Sequence, residues 1–132
     1  MSNMEIKIQN HITLYQTEFF KDIFPSDNEY FENVFYTPKI DDRESSLYEM
    51  RMQMFRDNEF KAAVFIGGME GVEIEYNMFK STHPNAKLFP VASTGAAAKF
   101  IYEGMDVKPD GRLVFDYAYM ALFRSLFEGI IN

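Results

Sequence analysis

The run Ala62-Ala63-Val64-Phe65-Ile66, closed by Gly67-Gly68 and followed by a helix-forming stretch, constrains this chain most. Five apolar residues in a row, bounded by glycines, suit a strand covered on both faces in a parallel sheet. A parallel neighbour needs a crossover, and Glu70–Ser81 has the helical period for one, with Val72, Tyr76 and Phe79 as its inward stripe. Leu88–Ala92 reads as the next strand, with Pro90 marking an edge or a bulge.

The same alternation runs along the rest of the chain. His11–Tyr15 reads as a strand, Thr17–Phe24 as a short helical piece stopped by Pro25, Ser26–Glu32 as a polar loop and Asn33–Tyr36 as a second strand. Asp41-Asp42-Arg43-Glu44 opens a long helix. An Asp cap with Glu44 three residues on makes a capping box, and Leu47, Met50 and Met54 form the apolar face. After the Leu88 strand come an Ala-rich helix over Thr94–Glu103 ended by Gly104, a turn at Asp110-Gly111, a short strand at Leu113–Phe115 and a last helix over Tyr117–Ile131. Strands alternating with helices predict an α/β, Rossmann-like fold: a mainly parallel sheet of about four to five strands with flanking helices, in one domain over 1–132. Met120, Leu122, Phe123, Leu126, Phe127 and Ile130 make the last helix apolar on most sides, which predicts a homodimer contact.

Composition excludes several functions. The chain has no Cys, so disulfide frameworks, cysteine-bound zinc and thiol catalysis are out. A net charge of −7 argues against a nucleic-acid surface, which needs clustered cations to neutralise phosphates. A small nucleotide needs only a loop and one or two cations, and stays open. The surplus of 14 Phe, 8 Tyr and 9 Met fits a ring-rich core or a subunit interface. No apolar run approaches membrane-spanning length and no leader pattern is present, so a soluble, cytoplasmic protein is expected. His11 and His83 lack catalytic partners in sequence, no metal spacing occurs, and neither metal nor cofactor is expected.

In an open α/β sheet, ligands lie beyond the carboxyl ends of the strands. One such loop is Gly67-Gly68-Met69-Glu70-Gly71, where paired glycines permit close backbone approach. Glu70, Glu73 and Glu75 crowd the following helix start and would repel phosphate, so this end suits ribose hydroxyls, a base or a leaving group. It also reads as a tight turn whose acids complement the helix dipole. The other loop, Ser93-Thr94-Gly95, opens a helix with hydroxyls, no acid and Lys99 one turn on. It reads as a phosphate cradle or as an ordinary helix cap. Arg51 stands beside the apolar stripe of the first long helix, as a solvated or acid-paired cation or as one that meets a substrate anion.

Gly67-Gly68-x-x-Gly71 followed by Glu75 resembles the PGGxGTxxE signature of the LOG phosphoribohydrolases, the lysine-decarboxylase-like family. Arg51, 16 residues before Gly67, matches that family's site arginine. The phrase Ala63–Val72, then Phe79, His83-Pro84 and Ser93-Thr94-Gly95-Ala96, looks closest to the nucleotide-sensing members of the wider SLOG superfamily, Rossmann-like domains found in bacterial conflict systems. The likeness covers about 12–102. The chain departs from the LOG motif by one extra residue before Gly71, by Val72 in place of Thr and by Ile66 in place of Pro. It also begins at what resembles the family's second strand-loop unit. The resemblance implies a nucleotide-like ligand held by Gly67, Gly68, Met69, Glu70, Gly71, Ser93, Thr94 and Gly95, in a signalling role without catalysis. A LOG-like N-glycosidic hydrolase would instead use Glu75 as acid/base or ribose-orienting carboxylate and Arg51 for charge. A shortened member with an assembly role is the third reading.

Overall fold

The structure, a computed structural model, describes residues 12–25 and 33–131. His11 and the Ser26–Glu32 loop lie outside those residues. The chain is α/β: strands pair in parallel and helices flank them. It divides into two compact units, 1–57 and 58–132. Among the described residues four strands form two parallel pairs, rather than one sheet of four to five.

In the first unit, β1 (Thr13–Thr17) pairs with β2 (Asn33–Thr37) from Thr13 opposite Asn33 to Thr17 opposite Thr37. Thr17 ends β1 and its hydroxyl accepts the Phe19 N–H at 3.3 Å, starting the 3-10 helix Glu18–Ile23. Helix α1 (Arg43–Arg56) packs on both strands. The box expected from Asp41 and Glu44 is replaced by a cap one residue later. Asp42 accepts the Ser45 N–H at 2.7 Å, while Glu44 pairs with Arg43 at 3.3 Å. That backbone hydrogen bond holds the Asp42 carboxyl below its ordinary pKa.

The buried stripe of α1 is also turned from the expected Leu47, Met50 and Met54, which are only half-buried, to Ser46, Arg51 and Phe55. Ser46 tolerates burial because its hydroxyl donates to the Asp42 carbonyl at 2.7 Å and accepts the Ile40 N–H at 3.0 Å.

The second unit is a βαβ crossover with added helices. β3 (Ala62–Ile66) lies parallel to β4 (Lys87–Val91), joined by α2 (Glu70–Thr82). Side chains alternate between the two faces. Phe65 meets Tyr76 and Phe79 of α2, with ring centroids 5.5 and 6.4 Å away. Ala62, Val64, Phe89 and Val91 face the other way, onto Leu113 and Leu122. Pro90 sits within β4, which among the described residues pairs with β3 alone, an arrangement that leaves the edge a strand proline needs.

A 3-10 turn (Ala92–Thr94) leads from β4 into α3 (Ala96–Gly104). The strand expected at Leu113–Phe115 is instead one helical turn, α4 (Arg112–Phe115). Asp110 turns the chain there, because its carboxylate accepts the Arg112 N–H at 2.9 Å and also grips the Arg112 guanidinium. That turn delivers Leu113, fully buried, to the core. The last helix, α5 (Tyr119–Ile131), lays Leu122, Phe123, Leu126, Phe127 and Ile130 on the same core. Most of its apolar residues thus serve the chain's own interior, while Met120 points out and is 81% exposed. No described helix is long and apolar enough to cross a membrane.

Candidate functional site

The two loops singled out in the sequence meet at the carboxyl ends of β3 and β4. Gly67 and Gly68 leave β3 with φ of +50° and +82°. A Cβ on Gly68 would lie 2.1 Å from Cγ2 of Val72, so both the left-handed turn and the close return of α2 require glycine there. The Gly67 N–H donates to Thr94 Oγ1 at 2.8 Å, and that hydroxyl donates in turn to the Val91 carbonyl at 2.5 Å. From the other side, the N–H groups of Ala98 and Ala97 donate to the carbonyls of Gly67 and Gly68 at 3.0 and 3.3 Å.

These bonds decide what each loop can offer. The first turn of a helix normally leaves free amides for an anion. In α3 the Ala97 and Ala98 amides are taken by the glycine carbonyls, and the Lys99 N–H closes onto the Gly95 carbonyl at 3.3 Å. Thr94 Oγ1, with one donor and one acceptor role filled, works as a latch between the loops. Gly95 (φ +76°) and Ala96 (φ +51°) both adopt the left-handed region as the chain enters α3.

Beside the latch, Ser93, Gly95 and Lys99 line an open groove of about 400 Å³, closed on its other sides by Tyr102, Glu103, Val114 and Tyr117. A volume of this order is at the low end of small-molecule sites, which run from about 300 Å³ upward. Ser93 Oγ lies 2.9 Å from the Tyr119 hydroxyl. Lys99 and Glu103, one helical turn apart, approach to 4.0 Å with both side chains more than half exposed. The groove therefore presents the Ser93 hydroxyl, one cation, one carboxylate and the two phenols of Tyr102 and Tyr117.

The remaining sequence candidates of the second unit are not among the residues that line this groove. Met69 caps α2 without a side-chain bond and is 84% exposed. Glu70 is exposed in the first turn of α2, where Gly71 is half-buried, and Glu75 is half-buried one turn further along. Arg51 is buried on α1 in the first unit. His83 has a structural part: its ring stacks on Phe79 with centroids 4.7 Å apart, Nε2 donates to the Asn58 carbonyl at 2.9 Å, and Nδ1 meets the Thr82 hydroxyl at 2.9 Å. Among the described residues no group of three or more His, Asp or Glu is arranged to hold a metal ion.

Sequence reasoning missed Tyr117 and Tyr119, which it placed inside an apolar helix, and Lys108. The Lys108 ammonium donates to the Tyr102, Glu103 and Met105 carbonyls at 2.9, 2.6 and 2.6 Å, capping the end of α3. A lysine just beyond a helix-ending glycine carried that signal.

No curated protein and no solved structure matches the chain. A family model does, that of the SLOG cluster3 family, over residues 1–127 and so across both compact units. With its parallel βαβ unit and the glycine loop latched to the Ser-Thr-Gly loop, the chain belongs to the SLOG cluster3 family.

Proposed function

We propose that this chain binds a nucleotide or nucleotide-derived small molecule in the cytoplasm, as a sensor that does not turn its ligand over. The observation that carries the reading is the latch from Gly67 to Thr94, with the groove of Ser93, Gly95 and Lys99 beside it. Binding sites gather at the carboxyl ends of parallel strands, and this is where the two loops meet. Family membership supports the same class of ligand, through the likeness of these loops to nucleotide-sensing SLOG members. The glycine loop approaches the sugar, and Ser93 with Lys99 receives the charged end.

Self-association belongs to the same proposal. The outward side of α5 carries Met120, and light scattering at micromolar concentration should report a dimer; a monomer removes this part.

Thermal unfolding against adenosine monophosphate, NAD, ADP-ribose, cyclic ADP-ribose and cyclic dinucleotides tests the reading. A ligand at about 100 times its Kd stabilises the native state by roughly 2.7 kcal/mol, a readily measured shift. A shift without release of a free base supports a sensor. Release of the base that is lost in Glu75→Gln replaces it with a hydrolase. No shift with any ligand leaves an assembly role.

A further inference from the structure

Given that nucleotide-binding reading, we infer that Tyr117 is the stacking face for the ligand's base. Tyr117 lies between α4 and α5 and is 71% exposed, a costly place for a large ring in water. Its neighbours in the chain are fixed. The Asp116 N–H donates to the Arg112 carbonyl at 2.8 Å, and the Asp116 carboxylate accepts the Ala118 N–H at 2.8 Å. The ring packs against Tyr119 in a T-shaped pair, at 6.2 Å between centroids and 69° between planes, and most of the residue's surface remains accessible.

The groove's other ring is already engaged. Tyr102 donates its hydroxyl to the Pro109 carbonyl at 3.5 Å and lies under the Lys108 ammonium, 5.7 Å from the ring centroid. An exposed ring on a pinned backbone, lining a groove with the Ser93 hydroxyl and a lysine, matches a flat heterocycle carrying a sugar and an anionic tail. Every base offers a π face, so stacking supplies affinity without choosing among bases.

The chain contains no Trp, so Tyr117→Trp introduces a single tryptophan at the site, whose emission can be excited apart from that of the tyrosines. Titration with adenosine monophosphate, NAD, ADP-ribose and the cyclic nucleotides should change its emission, with a Kd at or below that of the wild type measured by calorimetry. Tyr117→Ala should weaken binding by roughly five- to a hundredfold, the usual span for losing one base stack. Tyr117→Phe should bind like the wild type, and ribose 5-phosphate, which has no base, should be indifferent to all three variants. Wild-type affinity in Tyr117→Ala, or emission unchanged at saturation, overturns the stacking assignment and leaves the nucleotide-binding reading standing. A wild-type protein that binds none of these nucleotides overturns both.

Discussion

The Gly67 N–H and the Thr94 hydroxyl are joined at 2.8 Å across 27 residues of chain, and the same hydroxyl reaches back to the Val91 carbonyl. One threonine side chain thus ties the end of β3 to the end of β4. Thr94→Val keeps the shape of the side chain and removes both bonds. Leaving a part-buried amide unsatisfied costs about 1–3 kcal/mol, so chemical denaturation should show a loss of that size. Thr94→Ser should recover most of it, because the hydroxyl and not the methyl makes the tie.

Backbone conformation at the loops gives a prediction of opposite signs. Gly68→Ala places a methyl 2.1 Å from Cγ2 and 3.0 Å from Cβ of Val72, at a φ of +82° that disfavours any side chain. Both effects destabilise, and a loss of about 2 kcal/mol or more is expected from strain of this kind. Val72→Ala in the same background should restore only part of it, since the φ penalty remains. Ala96→Gly acts the other way: Ala96 has φ +51°, and glycine relieves a penalty of about 1 kcal/mol there. Stability curves for the three variants decide the matter, and a destabilised Ala96→Gly would contradict the left-handed entry into α3.

Much of this was legible in sequence, for reasons that single residues make plain. The strand Ala62–Ile66 matches its expected bounds, because a short apolar run closed by two glycines has few alternatives. The meeting of the glycine and Ser-Thr-Gly loops follows from parallel pairing, which brings both strand ends to one edge. Two kinds of feature were hidden. The turn of α1 onto Ser46, Arg51 and Phe55 depends on hydrogen bonds that let polar groups go inside, and apolar periodicity cannot register them. The helical turn at Leu113 depends on Asp110 and Arg112 gripping each other two residues apart, where β propensity in Leu-Val-Phe pointed to a strand. The occupied amides of Ala97 and Ala98 depend on a tertiary contact, so a helix start that reads as a free anion site is already partnered.

The Asp110–Arg112 grip sets an acid-side pH dependence. Hydrogen bonds from the Arg112 guanidinium and then its N–H lower the Asp110 carboxyl to a pKa of about 2. The folded pKa lies below the unfolded value near 3.9, so the stabilisation is fully present above about pH 4 and is lost as the pH falls toward 2. Asp110→Asn removes the charge. It should be less stable than the wild type at pH 6, and the two should converge between pH 4 and pH 2. Urea midpoints measured across that interval check it; a gap that stays constant would mean that Asp110 does not titrate through the grip.

Helix α5 offers a contrast between neighbouring positions that tests how its apolar residues are used. Leu122 is 1% exposed and packs with Phe89, Val91 and Leu113, whereas Met120, two residues earlier, is 81% exposed. Truncating a buried leucine costs about 2–5 kcal/mol through lost transfer free energy and the cavity left behind. Leu122→Ala should therefore lower stability by that much at every protein concentration. Met120→Ala should leave the unfolding free energy of the isolated chain unchanged within about 0.5 kcal/mol, as surface substitutions do. If α5 also holds two copies together through its outer side, Met120→Ala lowers the dimer fraction in light scattering while the Leu122 core stays intact. Equal losses at both positions and at all concentrations would place Met120 in the chain's own core and contradict the helix orientation described above.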